Sequence, residues 1–279
     1  MQSNSGNRTS RPKLRGLRTR MRDRSQSPIV IVPVSMAAPP IVEIIAFAGA
    51  EAVLLDAEHG MLSEETIRSM MAHAEAAGIS AVFRPRSFDA GACRQALDQG
   101  AAGVHVSHID TAQEAQAVVD ACRYAPLGCR EMSLGRAVEY DGTNIPEYVK
   151  KANEDQLLTI MVESRVAMSN IEEIAAVPGI DVIHMGIADL SHDMGLTAKY
   201  DHPDVHRQVE RVLDAADRND VAVGYPTGNP DIVKHWAAKG VRMFEAEAPD
   251  YLLRSAYARH LQSFHSAFGS IAVPAGAER

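Results

Sequence analysis

The residues of this 279-residue chain that could do chemistry together are four carboxylates, one histidine and one arginine, each standing where a short apolar run ends. Asp56-Ala57-Glu58-His59 follows the run Ala52–Leu55, and Arg84-Pro85 follows Ala81–Phe83. Glu163-Ser164 follows Leu157–Val162, and Gly186-Ile187-Ala188-Asp189 follows Val182–Met185. Glu163 and Asp189 are two hard oxygen donors that, with water in the remaining positions, describe an open site for Mg²⁺ or Mn²⁺. Zinc wants more nitrogen or sulfur, and neither HExxH nor CxxC occurs. Taken singly, Asp189 reads as a helix cap and Glu163 as an ion-pair partner of Arg165. His59 titrates near neutrality and is the natural general base. Arg84 directly follows a buried run and needs an anion there, either a substrate carboxylate or an acidic neighbour such as Asp56. His105, His184 and His192 also fall near strand ends, so a histidine alone decides little.

Absences narrow the chemistry further. The lysines are Lys13, Lys150, Lys151, Lys199, Lys234 and Lys239. None ends an apolar run, which disfavours a Schiff-base mechanism. The last two runs lead into Gly224-Tyr225-Pro226 and Glu245-Ala246-Glu247. An acidic rim there argues against a phosphate cradle and favours a non-phosphorylated substrate that carries a carboxylate.

Those side chains need a scaffold, and the apolar runs supply one. Besides the four above they are Ile29–Val34, Gly103–Val106, Val221–Val223 and Val241–Phe244, giving eight in all. Runs this short and this continuously apolar read as strands buried on both faces, the habit of parallel sheets. Amphipathic stretches lie between them. Ser63-Glu64-Glu65-Thr66 opens one as a cap with acids in its first turn, and Gly78 closes it. Asp89 to Gly100, Thr111 to Tyr124, Arg165 to Val177, Pro203 to Asn219, Pro230 to Gly240 and Pro249 to Phe268 behave alike, three of them opening on proline. Eight strands alternating with helices over some 250 residues predict an α/β fold, a (β/α)8 TIM barrel. An open doubly wound sheet is the alternative, weakened by the lack of GxGxxG after the first strand. The stretches Ala125–Gln156 and Ile187–His202 are longer than connectors need, and are expected to be functional loops at the carboxyl ends of the strands.

The composition is that of an ordinary globular chain, 46% hydrophobic and 23% charged. Residues 1–28 hold eight basic side chains against Asp23 alone, leaving the body with 20 basic and 35 acidic residues. An acidic body argues against a nucleic-acid partner. No apolar stretch is long enough to span a bilayer, so no membrane partner is expected either. Residues 1–28 have the Arg- and Ser-rich, acid-poor composition of a transit peptide, but read more simply as a solvated basic arm or a fraying first helix. Residues 29–268 then form one barrel domain, and 269–279 a tail. Cys93, Cys122 and Cys129 form no disulfide framework, which suits a reducing, cytoplasmic setting.

The same residues resemble a known family. Leu55-Asp56-Ala57-Glu58-His59-Gly60, Phe83-Arg84-Pro85, Leu97-Asp98-Gln99-Gly100-Ala101, Arg123-Tyr124, Val162-Glu163-Ser164 and Gly186-Ile187-Ala188-Asp189-Leu190-Ser191 appear in the order found in the HpcH/HpaI aldolases, metal-dependent class II pyruvate aldolases. The resemblance implies a phosphoenolpyruvate/pyruvate-type barrel whose last helix is exchanged between protomers of a homo-oligomer, dimer-based and up to a hexamer. It implies that Glu163 and Asp189 hold a divalent metal (Mg²⁺ or Mn²⁺, with Co²⁺ acceptable). Arg84 would then steady an enolate oxygen, and His59, supported by Asp98, would serve the substrate hydroxyl. Asp56 and Glu58 would order water around the metal, and the backbone amides of Ala188 and Asp189 would meet the carboxylate of a 2-oxo acid. The expected reaction is cleavage or formation of a carbon–carbon bond in a 4-hydroxy-2-oxo acid, with an aldehyde as the other product. Alternatives are an oxaloacetate or related 2-oxo-acid decarboxylase, and a barrel that binds a 2-oxo acid without turnover. The chain departs from the family pattern at Val106-Ser107-His108-Ile109, at Glu131-Met132-Ser133-Leu134-Gly135, at Ile187 and at Glu245-Ala246-Glu247. All four are expected on the side that receives the distal part of the substrate.

Overall fold

A computed structural model describes residues 16–269. Eight parallel strands close into a barrel in sequence order, β1 to β8. They are β1 (Ile29–Val34), β2 (Ala52–Asp56), β3 (Ser80–Arg84), β4 (Gly103–Val106), β5 (Leu157–Val162), β6 (Val182–Met185), β7 (Ala222–Pro226) and β8 (Met243–Glu245). Every residue of β2 through β6 is buried, which is why these runs carry no polar alternation. The fold is therefore the (β/α)8 barrel that the sequence predicts, and the open sheet is excluded.

The helices are α1 (Leu17–Arg22), α2 (Pro40–Phe47), α3 (Glu64–Ala77), α4 (Ala90–Asp98), α5 (Ala112–Cys122), α6 (Ile145–Asp155), α7 (Arg165–Ser169), α8 (Ile171–Ala175), α9 (Ile187–Asp193), α10 (Pro203–Arg218), α11 (Pro230–Ala238) and α12 (Pro249–Gly269). Local signals fix several ends. The Ser63 hydroxyl accepts from the Thr66 amide at 3.1 Å, and Gly78 ends α3 in the left-handed conformation. Thr111 and Glu114 form a reciprocal capping box on α5. The helix expected over Arg165–Val177 is two short ones, broken at Asn170. No helix among the described residues is long and apolar enough to cross a membrane.

Two expectations need correction. Of the two readings for residues 1–28, a first helix is present after Gly16, as α1, but it is packed and not solvated: Leu17 and Met21 are buried against Ile29, Leu54, Val82 and Leu157. Arg18 on the same helix is buried on Asp181, which also binds Arg123. That helix plugs the end of the barrel where the strands begin; residues 1–15 lie outside the described residues. The second correction concerns Ala125–Gln156. This stretch follows α5 and precedes β5, so it lies at the amino ends of the strands, opposite the mouth where a barrel works. There it wraps round Arg123 and Arg130 and forms α6.

Strand periodicity sorts the barrel interior into layers. Leu54, Val82, Leu157, Val182 and Met243 belong to the apolar cluster closed by α1. Two residues further along each strand, on the same face, stand Asp56, Arg84, Thr159, His184 and Glu245. An apolar floor thus gives way to a polar layer towards the carboxyl mouth.

Candidate active site

A pocket of about 570 Å³ opens at that mouth, lined among others by Glu58, His59, Arg84, Glu163, Asp189 and Glu245. Asp56 ends β2 directly beside Arg84 at the end of β3, the two being paired in the sheet register. Arg84 donates from Nε to Asp56 Oδ1 at 2.9 Å and from Nη2 to Oδ2 at 2.6 Å, a bidentate pair with both side chains buried. The anion that the sequence left open is thus Asp56 within the chain. Burial works against the charge on Asp56, but the hydrogen bonds and charge of Arg84 more than offset it and hold the carboxyl below its ordinary range. The pairing also sets the guanidinium plane. Its Nη1 has no hydrogen-bond partner among the described residues.

Glu163 leaves β5 next to the start of α9, which carries Asp189 in its first turn. Gly186 makes the approach possible, because a Cβ there would fall 2.4 Å from the Glu163 Cβ. Burial raises the Glu163 pKa; the charges of Asp189 and Glu58 add to this, while His108 opposes it. Acids crowded in this way are short of a cation. The structural alternatives for the pair are not realised. Arg165 binds Asp193 instead of Glu163, and Asp189 makes no side-chain cap on α9. Among the described residues no three potential ligands surround one point, so a cation here would take two carboxylates from the chain and the rest from water or substrate. That donor set fits a hard divalent ion. The amides of Ala188 and Asp189 lie in the first turn of α9, where backbone donors have no intrahelical partner.

His59 stands at the pocket rim, 69% exposed, with Nε2 3.8 Å from Glu58 Oε2. Glu58 lies deeper and is already engaged, accepting from the Ser107 hydroxyl at 2.8 Å with Arg84 Nε at 3.3 Å. Asp98 is not brought to this cluster. It ends α4, which runs back from the mouth, and it binds Arg130 at 2.6 Å at the other end of the barrel. Within one chain it cannot support His59. The stretch Glu131–Gly135 lies there too, with Glu131 on Arg94 and not beside the substrate pocket as expected.

Two site residues escaped the sequence analysis. His108, in the left-handed region at φ 60, sets Nε2 2.9 Å from Glu58 Oε1 and Nδ1 2.8 Å from Glu163 Oε1. Its backbone amide also donates to Glu163. Glu245 ends β8 in the pocket, where burial pushes its carboxyl up to about 7; Arg84 opposes this, and Asp56 and Glu58 add to it. Beneath it His105 and His184 are fully buried with rings 4.9 Å apart. Burial holds His184 down to about 3, and Arg84 adds to that effect. The signal for Glu245 was its place in an acidic strand-end rim, and both residues stood out as departures from the family pattern.

The model of the HpcH/HpaI aldolase/citrate lyase family matches residues 31–246, nearly the whole barrel. The chain belongs to that family. It is 33% identical over 227 residues to 2-keto-3-deoxy-L-rhamnonate aldolase of Klebsiella pneumoniae, covering 80% of this chain and 84% of that one. It is 34% identical over 231 residues to hydroxypyruvate/pyruvate aldolase of Deinococcus radiodurans, covering 81% of each. Among solved structures, an HpcH/HpaI aldolase from Desulfitobacterium hafniense superposes with a TM-score of 0.84 at 25% identity, over 95% of this chain and all of that one. Members of the family generally depend on a divalent metal.

Proposed function

We propose that this protein is a class II aldolase, a carbon–carbon lyase that cleaves or forms a 4-hydroxy-2-oxo acid through a pyruvate enolate. The observation that carries the reading is the meeting of Glu163, Asp189 and an oriented Arg84 in one mouth of a barrel of this family. Glu163 and Asp189 would hold Mg²⁺ or Mn²⁺. A divalent ion there supplies positive charge opposite a 2-oxo acid, which lowers the cost of negative charge developing on it.

The chain's own groups do the rest. Arg84, fixed by Asp56 and lining the pocket, would meet the keto oxygen. The amides of Ala188 and Asp189 meet the carboxylate. His59 takes the proton of the 4-hydroxyl; the oxygen lone pair becomes the aldehyde carbonyl, the bond between carbons 3 and 4 breaks, and its electrons pass into the enolate. Asp56 and Glu58 hold Arg84 and order water around the pair of acids.

The working protein is a homo-oligomer built through α12. That helix leaves the barrel with Tyr257, Leu261, Phe264 and Phe268 exposed, beside an apolar groove of about 920 Å³ that includes Val30, Ile44 and Leu252. A second copy's helix would cover both.

The test is pyruvate release from 4-hydroxy-2-oxo acids by metal-stripped protein, with and without Mn²⁺ or Mg²⁺. Metal-dependent release that Asp189→Ala abolishes, with Mn²⁺ affinity at least 100-fold weaker, supports the reading. Turnover undiminished in EDTA overturns it.

A further inference from the structure

The proton on carbon 3 has no carrier among these roles, and the inward acid Glu245 has no task. Carbon 3 must gain a proton when the enolate becomes pyruvate, and lose it in the reverse direction. His59 serves the hydroxyl, on oxygen. Of the other acids, Asp56 is committed to Arg84 through both oxygens, Glu58 to Ser107 and His108, and Glu163 to His108; Asp189 is assigned to the metal, and Glu247 lines the pocket but stands exposed at its rim. Glu245 lines the same pocket, yet its Oε2 is buried without a hydrogen-bond partner. His184 Nε2 stands 3.6 Å away, and both nitrogens of His184 and of His105, with the Thr159 hydroxyl, are buried and unpartnered as well. Buried polar groups are nearly always paired, so a patch of orphans marks a place that water or a ligand completes.

We propose that Glu245 is the acid–base residue that moves the proton on carbon 3 of the bound 2-oxo acid. In the cleavage direction the Glu245 O–H bond breaks, the enolate's electron pair forms the new C–H bond, and Glu245 is left as the carboxylate. In reverse, the carboxylate takes a methyl proton and the C–H pair passes into the enolate. The proposal rests on the aldolase reading. Its geometry comes from Arg84, whose charge acts directly on Glu245. A keto oxygen on Arg84 brings carbon 3, two bonds away, to the same end of the pocket.

The groups facing Glu245 set its proton affinity. Arg84 on β3 favours the carboxylate; Asp56 on β2 and Glu58 just beyond it favour the acid. His184 on β6 stays neutral, and on β7 Gly224 and Pro226 share that face and bring no titratable group, Tyr225 packing outward on Trp236. The outcome is a carboxyl that changes charge near the pH at which it works, where acid–base transfer is most effective.

The experiment follows the methyl signal of pyruvate by NMR in D₂O with the Mn²⁺- or Mg²⁺-loaded protein. Glu245→Gln keeps the shape and hydrogen-bonding capacity but cannot carry a proton. Exchange at least 100-fold slower in Glu245→Gln, with Mn²⁺ affinity within twofold of wild type and measurable exchange restored in Glu245→Asp, supports the proposal. Wild-type exchange should also rise with pH through an inflection near neutrality that the Gln variant lacks. Exchange at the wild-type rate in Glu245→Gln overturns it; should that variant not fold, a flat wild-type profile from pH 5.5 to 8.5 does so. Wild-type protein that cleaves a 4-hydroxy-2-oxo acid but leaves the methyl protons unexchanged overturns this inference alone. Wild-type protein that does neither overturns the aldolase reading beneath it.

Discussion

Metal-free protein should lose about 2 to 3 kcal/mol of stability through Glu245 alone as the pH rises from 5 to 8. Burial lifts this carboxyl from its ordinary 4.5 to about 7. Between those values the unfolded chain has given up the proton while the folded protein retains it, so folding takes up a proton and stability falls with rising pH. The stability is fully present below 4.5 and is lost as the pH climbs through 7. A rise from 4.5 to about 7, at about 1.4 kcal/mol for each pH unit, gives about 3 kcal/mol over the whole window, most of it between pH 5 and 8. Other groups act on the raw curve. His184, neutral when folded down to about 3, costs stability as the pH falls below 6.5, opposite in sense to Glu245. Asp56, held low by Arg84, matters only in acid, where protonation removes its contribution. Comparing wild type with Glu245→Gln cancels both. Urea unfolding in EDTA at pH 5, 6.5 and 8 should show the variant gaining on wild type by about 2 to 3 kcal/mol across the series. A difference between the two proteins that stays flat from pH 5 to 8 would refute the burial argument.

Two further outcomes test the rest of the molecule. His59→Ala should slow cleavage of 4-hydroxy-2-oxo acids by about 10² to 10⁴, while oxaloacetate decarboxylation, which needs no base at a hydroxyl, falls less than about tenfold; equal losses in the two assays would remove His59 from its role. Leu261→Asp with Phe264→Asp should turn the oligomer into monomers by light scattering, because these side chains are exposed in the single chain and each is worth about 1.5 to 3 kcal/mol when covered; an unchanged mass would show that α12 does not carry the assembly.

The barrel was legible because its strands are buried on both faces, which turns sequence hydrophobicity into strand positions almost directly. What composition could not show was the packing that stabilises a helix from outside its own segment. The six residues of α1 are too few to hold a helix by propensity, and they form one because Leu17 and Met21 seal the strand ends. Composition sees only the arginines there. Likewise, α6 lies inside a stretch whose length invited a functional reading, and only chain direction shows that a segment between a helix and the next strand lies at the wrong mouth.

The candidate site divides along the same physical line. Asp56, Glu58, His59, Arg84, Glu163 and Asp189 could be read as one rim because each ends or follows one of four strands, β2, β3, β5 and β6, so strand position alone places it at the mouth. Asp98 could not be placed by that rule, since a residue at the far end of a helix belongs to the other mouth. His108 and Glu245 lie 137 positions apart and look like two unrelated departures. Yet Glu58 bonds to His108 and its charge acts on Glu245, so both departures reshape one cluster of charge. The Glu245–His184–His105 patch needs the registers of β4, β6 and β8 at once, together with Gly224, where a Cβ would fall 2.5 Å from the His184 ring. Residues that act one per strand can be read from a sequence; residues that act because three strands bring them to the same height in a barrel become visible only when the barrel is closed.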